Sequence, residues 1–105
     1  MTGWLAPTGE LVICEGHSHL DKARELCTLL HFEDTEKTPD DILLSRGWVR
    51  ISRCIYGYDL GYMFWMPDAL SSCQRNVLKQ FVEVFGNECS AEGRNTLHKY
   101  GIIDD

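Results

Sequence analysis

Residues 48–66, WVRISRCIYGYDLGYMFWM, decide how the rest of the chain is read. Across residues 48–55 apolar and polar side chains alternate, with Val49, Ile51 and Ile55 on one face and Arg50 and Ser52 on the other. That is the period-two pattern of a half-buried strand. The next six residues, Tyr56-Gly57-Tyr58-Asp59-Leu60-Gly61, are punctuated by glycine, and YMFWM is aromatic enough to return as a second strand. The segment reads as a β-hairpin.

On the N-terminal side, residues 4–14, WLAPTGELVIC, form two short extended pieces around Pro7-Thr8-Gly9, which predicts a first hairpin. Ser18 then caps a helix with Asp21 at its third position, and Leu20, Ala23, Leu26, Cys27 and Leu30 recur at helical spacing. Residues 32–38 turn to Glu, Asp, Thr and Lys, the composition of a surface loop. Thr38-Pro39-Asp40-Asp41 supplies a cap, a proline at the first helical position and acids in the first turn, so a second helix begins there and ends at Gly47.

On the C-terminal side, Ser71 and Gln74 form a capping box. Leu70, Cys73, Val77, Leu78, Phe81, Val82 and Phe85 then make a continuous apolar stripe that Gly86 ends. Residues 90–100 predict another short helix stopped by Gly101, weakened by about 1 kcal/mol because Gly93 stands where alanine would be better. The order ββ-α-α-ββ-α predicts one α+β domain over residues 1–105. Its expected architecture has two layers: an antiparallel sheet of two β-hairpins with the helices packed on one face.

With 105 residues, 44% hydrophobic and 25% charged, the chain has the composition of an ordinary globular domain. The net charge is −6, and its distribution is uneven. Residues 1–45 hold nine acids against three bases, whereas residues 46–105 hold seven of each. An acidic surface repels a phosphate backbone, so direct nucleic-acid binding is not expected, but a basic protein partner is compatible. No apolar run reaches the roughly 20 residues a bilayer demands, and the N-terminus lacks the basic and apolar regions of a signal peptide. The expectation is a soluble cytoplasmic protein, monomeric or homodimeric, with no membrane contact. Five cysteines without a CxxC pair argue against a disulfide framework or a zinc ribbon.

Three groups of residues are candidate sites. Cys14, His17 and His19 offer soft and borderline metal ligands, with Cys27, His31 or Cys89 as a fourth; zinc is the metal such a set would take. Their spacing matches no standard zinc motif, and the competing account is a buried cysteine beside histidines bonded to the backbone. The same Cys14 with His17 or His19 as base would make a thiol nucleophile, although no orienting partner stands out and no enzyme motif is present. The acids Glu33, Asp34, Glu36, Asp40 and Asp41 either form a solvated loop and helix start or imitate phosphates toward a basic groove on a partner. Tyr56 and Tyr58 in the second hairpin loop are candidates for contact with that partner. If the acidic loop and the tyrosine loop lay on one side, they would make a single interface.

W-x-x-P-x-G-E, then Cys14, the H-S-H ahead of an Ala23-bearing helix, G-W-V-R-I and L-S-x-x-Q resemble stretches of small proteins encoded by bacteriophages and other mobile elements of bacteria. The resemblance implies an accessory protein that works by binding and disabling a host factor, and the lack of an enzyme motif separately gives the expectation of no enzymatic activity. A nucleic-acid-handling protein or a defence system, in the manner of an anti-CRISPR, is the kind of factor implied.

Overall fold

The computed structural model describes residues 1–16 and 18–103. Two strands, β1 (Thr2–Leu5) and β2 (Leu11–Ile13), precede two helices, α1 (His19–Leu29) and α2 (Pro39–Ser45). Then come β3 (Val49–Cys54), β4 (Gly61–Trp65), α3 (Ser72–Phe85), a 3₁₀ turn (Gly86–Glu88) and α4 (Ala91–Lys99). The result is an α+β fold with one four-stranded sheet in the order β2-β1-β3-β4, every pair antiparallel. Both expected hairpins are present, and β1 joins them by pairing Gly3 with Ile51 and Leu5 with Val49.

The helices begin where the side chains dictate. Ser18, Thr38, Ser71 and Ser90 each stand in extended backbone and accept a hydrogen bond from the amide three residues on, satisfying donors that the first turn leaves without a partner. The capping box at Ser71 and Gln74 is complete in both directions.

The division of the helices between the sheet's faces differs from the single helical layer expected. Leu5, Val49, Ile51, Tyr62 and Phe64 point to one face and pack with Leu78 and Phe81 of α3 and Leu97 of α4. Trp4, Ala6, Cys14 and Trp48 point to the other and pack with Ala23 and Cys27 of α1 and Ile42 and Leu43 of α2. Side chains alternate along a strand, so these two clusters lie on opposite faces and the sheet is covered on both. Arg50 and Ser52, expected toward solvent, are therefore half-buried on this second face, where Arg50 meets Asp40 of α2. Ile55, expected in the core, falls just beyond β3 and is exposed.

One residue shows how closely the layers approach. Gly93, in the first turn of α4, is buried, and its amide donates to Ser90 Oγ at 2.9 Å. A β-carbon built there would overlap the carbonyl of Tyr62 on β4. Ser90 holds the same carbonyl with its amide (3.0 Å) and its hydroxyl (3.1 Å). The glycine that weakens the helix locally is what lets the helix reach the sheet.

Candidate functional site

The stretch containing Cys14, His17 and His19 spans the end of β2 and the start of α1. Cys14 is buried beside β1, where its amide donates to the carbonyl of Thr2 at 2.8 Å. Burial pushes its thiol above the ordinary value; nearby Lys22 acts in the opposite sense and Asp40 in the same sense. A nucleophilic thiol needs the reverse shift. His17 lies outside the described residues. His19 opens α1 and faces α2, its Nδ1 standing 2.6 Å from Asp40 Oδ2, a close approach without the alignment of a hydrogen bond.

Among the described residues no three His, Cys, Asp or Glu side chains are grouped so as to hold a metal ion. The possible fourth ligands are dispersed. Cys27 donates to the Pro39 carbonyl at 3.7 Å, His31 is exposed in the left-handed region at φ 57°, and Cys89 packs against the α3–α4 cluster and donates to the Phe85 carbonyl.

What this region does contain is a charge network. Asp40 Oδ2 also accepts from Arg50 Nη1 at 3.1 Å, and the Arg50 guanidinium lies over the Trp65 ring at 3.6 Å. The Trp4 indole donates to the His19 carbonyl at 3.0 Å. Burial lowers the Arg50 pKa, while the charge and hydrogen bond of Asp40 oppose that shift. One carboxylate thus ties α1, α2 and β3 together. The alternation around Arg50 was visible in the sequence, but its partner Asp40, ten positions away on another element, was not.

That arrangement divides the acidic group. Asp40 is turned inward, while Glu33, Asp34, Glu36 and Asp41 are exposed. Asp34 Oδ1 accepts from the Glu36 amide at 2.8 Å, and the Asp41 amide donates to Thr38 Oγ1 at 3.3 Å.

The tyrosine loop is the other outstanding surface. Tyr56 is 82% exposed and Tyr58 fully so, and Ile55 and Leu60 on either side are also exposed. A bare apolar loop of this kind is unusual on a water-facing surface unless something covers it. It is also held firmly. Both carboxylate oxygens of Asp59 accept amides at the start of α4, from Ala91 at 2.7 Å and Glu92 at 3.1 Å, where a negative charge also complements the helix dipole. The Cys54 thiol donates to the Tyr56 carbonyl at 3.1 Å. Beside the loop, Arg53, Cys54, Ile55, Leu60, Gly61, Asn87 and Glu88 line an open cleft of about 360 Å³. Arg53 and Glu88 form an exposed ion pair at 3.4 Å on its wall.

The two surfaces therefore belong to different layers. The acidic loop connects α1 to α2, whereas Asp59 ties the tyrosine loop to α4 on the far face. Asp59 carried no distinguishing signal in the sequence beyond its place between two glycines.

Compared with known proteins, the chain matches no protein-family model, no curated protein and no solved structure at a significant level.

Proposed function

We propose that this chain is a small acidic protein-binding module that works by contact rather than by chemistry. In keeping with the resemblance to phage and mobile-element proteins, it would antagonise a host nucleic-acid-handling or defence factor. The observation that carries the reading is the tip of the second hairpin: Ile55, Tyr56, Tyr58 and Leu60 stand exposed on a loop clamped by Asp59. Tyrosines on a rigid support bring large contact area and a hydrogen-bonding hydroxyl while losing little side-chain freedom on binding. Glu33, Asp34, Glu36 and Asp41 supply a second, electrostatic element, which would steer a basic partner from a distance and set orientation.

The test compares immobilised protein with its Tyr56→Ala/Tyr58→Ala variant in a bacterial extract. The reading expects one discrete partner retained in fixed proportion by the wild type and at least about tenfold less by the variant, since central aromatic anchors dominate interface energy. Charge reversal at Glu33, Asp34, Glu36 and Asp41 should weaken retention most at low salt. Equal retention by all three proteins would remove the proposal. Both tyrosines are exposed, so the double variant should melt within about 0.5 kcal/mol of the wild type per site.

A further inference from the structure

Among the described residues, the sheet has an edge, β2, that no further strand pairs with. The amide of Ala6 bonds the carbonyl of Glu10, and the amide of Cys14 bonds that of Thr2. Hydrogen bonding alternates along an antiparallel pair, so Trp4 and Val12 make the next inward exchange. The N–H and C=O groups of Leu11 and Ile13 consequently point away from the sheet. The opposite edge, β4, is closed at Tyr62 by Ser90. Edges are usually blunted with lysine, proline or a bulge; β2 has none of these, and its Ile13 side chain is 37% exposed.

We infer that β2 is a docking edge for a second copy of this chain, paired antiparallel about a two-fold axis at Val12 to give one continuous sheet. The argument is the register that symmetry imposes. A two-fold axis at Val12 sets Leu11 opposite Ile13 of the other copy and Ile13 opposite its Leu11. These are the residues whose backbone groups face outward, so each such pair exchanges both of its backbone hydrogen bonds. Their side chains meet apolar on apolar, and Val12 meets Val12. Glu10 falls opposite Cys14 and Glu15 opposite Gly9, so no acid directly opposes an acid. A shift by one residue would pair outward-facing groups with inward-facing ones and lose the bonds. Gly3 helps shape this edge, because its missing side chain leaves room for those of Leu11 and Ile13. With the strand order β2-β1-β3-β4 in each copy, the two tyrosine loops lie at the outer edges of the joined sheet and remain free.

The charge of −6 per chain sets a sign. Two copies repel at long range, and salt screens that repulsion, so the dimer should strengthen as salt rises. The acid-steered partner contact proposed above should weaken under the same change.

The test is sedimentation velocity on the full chain over about a hundredfold range of concentration, in about 50 mM and about 500 mM salt. The expected result is a reversible monomer–dimer equilibrium whose dissociation constant falls several-fold in high salt. Ile13→Lys, an exposed change that places charge on the edge, should raise that constant at least about tenfold with an unaltered circular dichroism spectrum. Should that variant fail to fold, Val12→Cys reads the same geometry: under mild oxidation it should form an intermolecular disulfide through position 12. A monomer at every concentration overturns the inference. So does a dimer insensitive to Ile13→Lys, a dimer abolished by Tyr56→Ala/Tyr58→Ala, or the absence of the position-12 cross-link. None of these outcomes touches the partner-retention experiment, so the two proposals stand or fall separately.

Discussion

Single residues in this protein do work that their local preferences oppose. Gly93 is the clearest case. Helix propensity alone says that Gly93→Ala should stabilise α4 by about 1 kcal/mol. The Tyr62 carbonyl occupies the space a methyl group needs, so α4 must lift off β4 or the bond between Ser90 and Tyr62 must break. The expected outcome is destabilisation by about 2 kcal/mol or more in a urea melt, the sign opposite to the propensity scale. Asp40 is the second case. Its carboxylate faces His19 and Arg50 in a largely buried site, so Asp40→Asn leaves the arginine without its counter-charge. A loss of about 3 kcal/mol is expected. Glu36→Gln, on the exposed loop of the same acidic run, should change stability by no more than about 0.5 kcal/mol. Similar losses from both would show that Asp40 is merely another surface acid.

At the scale of elements, caps and turns were the legible part. Ser18, Thr38 and Ser71 announced helix starts because capping is a local matter of a side-chain oxygen and an amide three residues away. The Ser71–Gln74 box was readable for the same reason. Its second role was not. Gln74 is 1% exposed, and its Nε2 donates to the carbonyls of Gly47 at 2.7 Å and Leu5 at 3.2 Å. Ser71 Oγ meanwhile donates to the Pro7 carbonyl at 2.6 Å. The start of α3 is thus fastened to the first hairpin and to the entrance of β3. Gln74→Leu keeps the volume but strips both carbonyls of a donor, and should cost about 2–4 kcal/mol by urea denaturation. Ser72→Ala, two positions earlier and exposed, should cost little. The tyrosine loop shows the same split: its glycines marked a turn, while the clamp from Asp59 to α4 spans more than thirty residues.

At the scale of the whole molecule, the sheet is buried on both faces, and three thiols are set within its covering layers. Burial raises the pKa of Cys14, Cys27 and Cys89 above the ordinary value of 9.0. The folded state therefore prefers the protonated thiols more strongly than the unfolded state does. Their contribution to stability is complete below pH 9.0 and is lost as pH rises through the raised folded-state values. Urea midpoints under reducing conditions should hold between pH 7 and 8.5, then fall as alkalinity increases through the thiol range. A Cys14→Ala/Cys27→Ala variant should lose part of that alkaline fall, whatever its stability at neutral pH. An unchanged fall would assign it to other groups. The same burial predicts that Cys73, exposed on α3, reacts with a thiol reagent well before Cys14 or Cys27.

The α+β class, the two hairpins, the order of the elements and the helix caps were determined by the sequence itself. All of them rest on periodicity and on contacts a few residues long. The tertiary structure alone decided that the helices cover both faces of the sheet, that Asp40 turns inward while its acidic neighbours stay outside, and that Gly93 is a point of close approach. Each of these depends on pairings between residues far apart in the chain. Alternation says that two faces differ, but only the packed sheet says what lies against each one.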